Sequence, residues 1–140
     1  MIRYSLVSIL SGILFGTLDG LIHANPLAQK LYAVYQPISK ASINVPAGII
    51  IDLIYGFILA AIFIRLYPSL PGSTGILKGL SFAVLAWFLR VVMSAISDWM
   101  MFTVPLQAIG YSVLTGLGEM LVLGVLYGLT LKPSGNHFSF

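Results

Sequence analysis

Leu85-Ala-Trp-Phe-Leu-Arg90-Val-Val-Met-Ser94-Ala-Ile-Ser97-Asp98 is the stretch that decides how this chain folds. It belongs to a run apolar enough to cross a bilayer as a helix, yet it holds an arginine well inside. Arg90, Ser94, Ser97 and Asp98 recur at helical spacing and so share one face. A charge at depth costs roughly 2.5–3.5 kcal/mol on insertion scales, so Arg90 is expected to meet a partner or a wet cavity rather than lipid.

The composition around that stretch agrees. The 140 residues are 59% hydrophobic and 8% charged, with a mean hydropathy of +1.01. Soluble domains carry about 25% charged residues, so this chain has too few to cover a water-facing surface. The expectation is an all-α, polytopic membrane protein, one domain over 1–140. The length suffices for about four spans of roughly 20 residues and leaves no room for a soluble catalytic domain. With no cysteine there is no disulfide, thiolate ligand or thiol nucleophile. There is no Ser/His/Asp signature, phosphate loop or nucleic-acid motif. A net charge of +3 is ordinary for a membrane protein.

Working outward, the span holding Arg90 is expected at 76–100, with Lys78 at its start and Trp99 suited to an aromatic belt. Before it, Pro68-Ser-Leu-Pro71-Gly72 is a turn. The preceding span, 46–67, carries Gly48, Asp52, Gly56 and Ala60 at four-residue intervals. A carboxylate therefore lies on a face where helices come close. The last span, 106–131, has Glu119 near its middle, a polar stripe of Tyr111, Ser112 and Thr115, and a Gly124/Gly128 pair. Lys132-Pro133 stops it, and His137 is read as a solvated tail residue. The first span, 4–23, carries Ser8, Gly12, Gly16 and Gly20 at intervals of four, with Asp19 and His23 one turn apart at its far end. Arg3 ahead of an apolar run imitates a signal peptide but is read as an uncleaved first helix. Between spans 1 and 2, Asn25-Pro26 reads as an N-cap followed by Pro at N1. It would open a short amphipathic interfacial helix that stops near Pro37.

Four crossings put both termini on one side. That side holds Arg3, Arg65, Lys78 and Lys132, against Lys30 and Lys40 opposite, so both termini are expected in the cytoplasm, in an inner (plasma) membrane. Each half is a hairpin whose second helix opens with Val-Pro (Val45-Pro46, Val104-Pro105) and contains Tyr-Gly (Tyr55-Gly56, Tyr127-Gly128). A tandem repeat would make the halves parallel, not inverted, which removes the inverted-repeat argument for a transporter.

The four acids, Asp19, Asp52, Asp98 and Glu119, fall one in each span. Together with His23 and Arg90 they occupy the middle and outer half of the membrane. The expected binding residues are therefore Arg90, Glu119, Asp52, Asp19, His23 and Asp98, grouped as a pocket opening away from the cytoplasm. Arg90 would pair with Glu119 or Asp52, since an unpaired buried charge is far more costly than a paired one. Asp19 and His23 at i and i+4 have the spacing of a metal or proton site. One acid per helix also has the form of di-metal carboxylate bundles, although these use more than one histidine. A haem held by His23 and Met93, Met100 or Met101 is a further arrangement the residues permit. The structural alternative gives Asp19, His23 and Asp98 a place among headgroups, has Asp52 cap or anchor, and makes Arg90–Glu119 a register-fixing ion pair.

Ile51-Asp52-Leu-Ile-Tyr-Gly56, Leu66-Tyr-Pro-Ser-Leu-Pro71-Gly72, Lys78-Gly79-Leu80-Ser-Phe82 and Gly124-Val-Leu-Tyr-Gly128 together resemble small four-span bacterial membrane proteins of the domain-of-unknown-function kind. The resemblance covers about the last two thirds of the chain and implies a four-helix membrane fold without an activity. The chain departs from small multidrug transporters, whose single membrane Glu lies in the first span. It also lacks the Gly/Arg/Asn pattern of the double-barrelled fluoride channels. The small-residue stripes on spans 1, 2 and 4 favour an accessory or scaffold subunit of a larger membrane complex, or a homo-oligomer. Its partners would be lipids and other membrane subunits or copies of itself, with no nucleic acid. The alternative is a channel or carrier for a cation, proton or small polar solute using the acidic/Arg pocket. A membrane enzyme is third.

Overall fold

The computed structural model describes residues 1–132. His137 and Pro133 lie outside them. In chain order the α-helices are α1 (Ile2–Ala24), α2 (Pro26–Leu31), α3 (Val45–Leu66), α4 (Gly75–Trp87), α5 (Met93–Met101) and α6 (Leu106–Thr130). Single 3-10 segments follow α2 (Ala33–Ile38) and α3 (Tyr67–Ser69). A π-helical turn over Phe88–Val92 fuses α4 and α5 into one rod. Four rods are long and apolar enough to cross a membrane: Ile2–Ala24, Val45–Ser69, Gly75–Met101 and Leu106–Thr130. At 25 residues α6 is about 37 Å long against a hydrocarbon core of about 30 Å. The protein is an all-α, four-span helical bundle with a short helix between spans 1 and 2, the architecture of a multi-pass membrane protein.

The ends are set by local chemistry. Asn25 caps α2, its Oδ1 accepting from the Ala28 N–H at 2.9 Å, with Pro26 where no N–H is needed. Only six residues are α-helical there; the amphipathic run continues as the 3-10 segment through Pro37. Asn44 caps α3 through Ala47 N–H at 3.1 Å, and Thr74 caps α4 through Leu77 N–H at 3.2 Å. Gly72, at φ +127°, reverses the chain between them in a conformation that favours glycine.

Two antiparallel pairs build the bundle, α1 with α3 and α4 with α6, and α1 against α6 joins them. Glycine sets the spacing within each pair. A Cβ on Gly56 would stand 2.9 Å from the Cα of Gly12 and 2.7 Å from its nitrogen. In the second pair Gly79 faces Gly124 and Gly75 faces Gly128, each against the other's carbonyl. Such close backbone approach replaces the hydrophobic drive that is absent between helices in lipid.

The packed core sits toward the end that carries the N-terminus, Arg65 and Lys78, called here the proximal end. Phe63, Phe82 and Tyr127 cluster with centroids 5.4–6.2 Å apart, all three nearly or fully buried. Leu59, Met120, Leu123 and Leu131 fill around them. Toward the distal end, where α1 and α5 finish and α3 and α6 begin, polar side chains line open space instead.

Candidate functional site

The π turn carries Arg90. One extra residue per turn widens the helix and shifts the register after it. Arg90, Ser94 and Asp98 then line one cavity, whereas Ser97, expected on the same face, turns its hydroxyl back to the Met93 carbonyl at 3.0 Å.

Arg90 touches every other membrane rod. Its Nη1 stands 3.4 Å from Oε2 of Glu119 on α6. Its Cζ lies 4.6 Å from the Phe15 ring centroid on α1 and 5.2 Å from that of Tyr55 on α3. Phe15 and Tyr55 are themselves stacked, 5.3 Å apart and 5° from parallel. The guanidinium thus spends its charge on one carboxylate and two π faces, a combination suited to a weakly hydrated, delocalised cation. Glu119 is far the more enclosed partner, its side chain 3% exposed against 31% for Arg90. Its second oxygen, Oε1, is buried with no hydrogen-bond partner among the described residues.

Above this pair the cavity holds about 350 Å³. Asp19, His23, Ser94, Asp98, Ser112 and Thr115 form its polar walls. Asp19 and His23 pair with each other at 3.3 Å and are about half exposed at the rim. The cavity continues into a wider vestibule of about 630 Å³, which shares His23, Ala95, Asp98 and Ser112 with it. Tyr32, Tyr35, Gln29 and Gln36, from α2, the 3-10 segment and the residue that joins them, complete the vestibule. The result is a polar cleft, wide at the distal end and narrowing to the Arg90–Glu119 pair, below which the aromatic core begins.

Searched against models of known families, curated proteins and solved structures, the chain has no match.

Five of the six residues singled out from sequence, Arg90, Glu119, Asp19, His23 and Asp98, line this one cleft. Asp52 does not. The pairing of Arg90 is with Glu119, and Asp52 lies in a groove between α1 and α3, lined by Gly12, Gly16, Gly20 and Gly48, that meets the cleft only at Asp19 and His23. The cause is the glycine stripe itself: with no side chain at Gly16, the Asp52 carboxylate lies directly over it. Among the described residues no three His, Asp or Glu side chains converge to hold a metal ion. Met93, Met100 and Met101 are exposed rather than facing His23.

Three supports are invisible in the motif reading. Trp87 Nε1 donates to the Val113 carbonyl at 2.9 Å, tying the start of the π turn to α6. Tyr111 donates to the Ile22 carbonyl at 2.6 Å and accepts from Asn25 Nδ2 at 2.7 Å, tying α6 to the end of α1. Tyr55 supplies a face to Arg90. Asn25 carried a signal as a cap. Nothing in the spacing of Trp87 or Tyr111 names a carbonyl on another helix.

Proposed function

We propose that this protein is a membrane carrier or channel that takes a cation, a proton or a small polar solute from the distal face into the cleft floored by Arg90 and Glu119. The observation that carries this reading is Glu119 Oε1, a carboxylate oxygen buried at the foot of an open polar cleft with no hydrogen-bond partner among the described residues. An unmet buried acceptor costs about 1–3 kcal/mol, more for a charged group. That cost is relieved by a proton on the oxygen or by a solute that donates to it. The ring cluster of Phe63, Phe82 and Tyr127 closes the other end, so passage requires that cluster to part. We place the protein in a bacterial inner membrane with both termini cytoplasmic. The support is the excess of Arg3, Arg65, Lys78 and Lys132 at the proximal end over Lys30 and Lys40 at the distal end.

The test is proton, ammonium and alkali-cation flux in proteoliposomes. Wild type should conduct at least one of these, and Glu119→Gln should abolish that flux while helical content and elution volume stay unchanged. Equal flux in wild type and variant overturns the proposal.

A second reading, an accessory subunit or homo-oligomer packing through Gly-rich faces, draws support from Asp52. Its carboxylate is partly exposed in an outward groove within a span, where lipid is an unfavourable neighbour. The remaining glycine stripes give it less, because Gly12, Gly56, Gly75, Gly79, Gly124 and Gly128 are all occupied inside the bundle. The native mass of the gently extracted protein separates the readings: defined partner chains or a stable homo-oligomer favour this one.

A further inference from the structure

We infer that the vestibule at the distal end is a binding site for an alkylammonium group, held between the faces of Tyr32 and Tyr35 and the carboxylate of Asp98. This deepens the carrier reading by naming the class of its solute, and rests on that reading only for the claim that the bound group moves onward.

The first argument is charge. Within the cleft, Asp19 is matched by His23 at 3.3 Å and Glu119 by Arg90 at 3.4 Å. Asp98 is the remaining charge, and among the described residues its carboxylate has no ion pair and no hydrogen bond. It stands where cleft and vestibule meet, lining both. A carboxylate with no partner on the wall of a shared cavity favours a cation.

The second argument is the aromatic lining that Asp98 shares. Tyr32 and Tyr35 line the vestibule with ring centroids 6.1 Å apart and planes inclined at 43°. A cation is attracted to an aromatic face when it lies within about 6 Å of the centroid, and quaternary ammonium groups are recognised by such cages. Two tilted rings and a carboxylate lining one cavity supply the groups that such a cage uses. Tyr32 is braced by neighbours: it stacks on His23, itself part of the vestibule wall, at 5.5 Å and packs edge-to-face with Tyr111 at 6.0 Å. Tyr111 is fixed in turn by its bond to the Ile22 carbonyl. Burial pushes both phenols up from their ordinary value, and Asp98 adds to this at Tyr35. Both rings therefore stay neutral at physiological pH.

The third argument is size. The vestibule holds about 630 Å³ and has apolar wall from Ala28, Ala95, Val104 and Ala108 beside its polar groups. A bare metal ion has no use for that volume or that apolar surface. A methylated or alkyl-substituted ammonium uses both. The same group is carried by free amines and by choline-type lipid headgroups.

The experiment is equilibrium binding of radiolabelled choline to the purified full-length protein. In detergent, binding should be saturable and competed by tetramethylammonium but not by equimolar sodium. Asp98→Asn and Tyr35→Leu should each weaken it about tenfold, while Tyr35→Phe, which keeps the ring, should bind within about twofold of wild type. Gly118→Ala, which lines neither cleft nor vestibule, should bind normally, and saturable wild-type binding without any flux overturns the carrier reading while leaving this site intact. In nanodiscs, weaker choline binding in phosphatidylcholine than in phosphatidylglycerol assigns the site to a headgroup; equal binding assigns it to a free amine, and either supports the site. No saturable binding by wild type overturns it. So does wild-type affinity in both Asp98→Asn and Tyr35→Leu, or a Tyr35→Phe loss as large as that of Tyr35→Leu.

Discussion

Nη1 of Arg90 stands 3.4 Å from Oε2 of Glu119, and that carboxylate is buried far more deeply than the guanidinium it faces. The asymmetry ranks the two single truncations. Arg90→Ala leaves a buried carboxylate without its ion-pair partner, and removing one partner of a buried pair costs about 3–5 kcal/mol. Glu119→Ala leaves a half-open guanidinium that keeps its Phe15 and Tyr55 faces. In detergent unfolding assays Arg90→Ala is expected to be the more destabilised of the two. Arg90→Ala combined with Glu119→Leu should recover at least half of the loss. A double variant no better than Arg90→Ala alone refutes this account of the pair.

The glycines divide into two classes that one unfolding series separates. A Cβ at Gly124 would stand 2.7 Å from the Ala83 Cβ and collide with the Gly79 carbonyl. Gly124→Ala should therefore cost about 1–3 kcal/mol through overpacking. At Gly118 nothing lies within 4 Å. Gly118→Ala should be neutral or gain about 0.5–1 kcal/mol from helix propensity. Equal effects at both positions would contradict the observed helix crossing.

Asn25 does two jobs with one amide. Oδ1 caps α2, and Nδ2 donates to the Tyr111 hydroxyl and the Ile22 carbonyl. Asn25→Asp keeps the acceptor and loses the donor; Asn25→Ala loses both. Proteolysis of the segment between α1 and α3 should rise in the order wild type, Asn25→Asp, Asn25→Ala. Tyr111→Phe should resemble Asn25→Asp and cost about 1–2 kcal/mol.

Because the chain has no cysteine, single cysteines report the cleft directly. Ser94→Cys and Ser112→Cys line it and should react with a membrane-impermeant thiol reagent added from the distal side. Ala83→Cys lies in the packed core, 1% exposed, and should be inert from either side. Labelling of Ser94→Cys only from the cytoplasmic side of the membrane would invert the proposed orientation.

Gly16 and Asp52 form the last test. An added methyl at Gly16 would stand 2.5 Å from Asp52 Oδ2. Gly16→Ala should therefore expel the carboxylate from its groove. If Asp52 meets a neighbouring chain, Gly16→Ala and Asp52→Asn should shift the native mass in the same direction; a monomer unchanged in both removes the subunit reading.

The fold was legible in the sequence because lipid demands so much of it. Every backbone group in a span must bond within its own helix. Some twenty apolar residues in a row therefore declare a helix without any knowledge of its neighbours, and punctuation such as Asn25-Pro26 and Pro71-Gly72 falls where the chain leaves the apolar layer. The same logic singled out Arg90, Glu119, Asp52, Asp19, His23 and Asp98, because each is costly at depth and so has a stated need for company.

What the sequence left open is which company. Arg90 chose Glu119 over Asp52, and that choice depends on the π turn at Phe88–Val92 and on Gly16 leaving room for Asp52 to turn aside. The π turn begins beside a contact across helices, Trp87 reaching the Val113 carbonyl. Helical periodicity, computed along one chain direction, carries no record of it. The sequence thus determined four apolar rods and a set of charges that must avoid lipid. The tertiary structure alone decided which charges share a cleft, because partner choice rests on the relative rotation and separation of rods, and glycines far apart in the sequence set both.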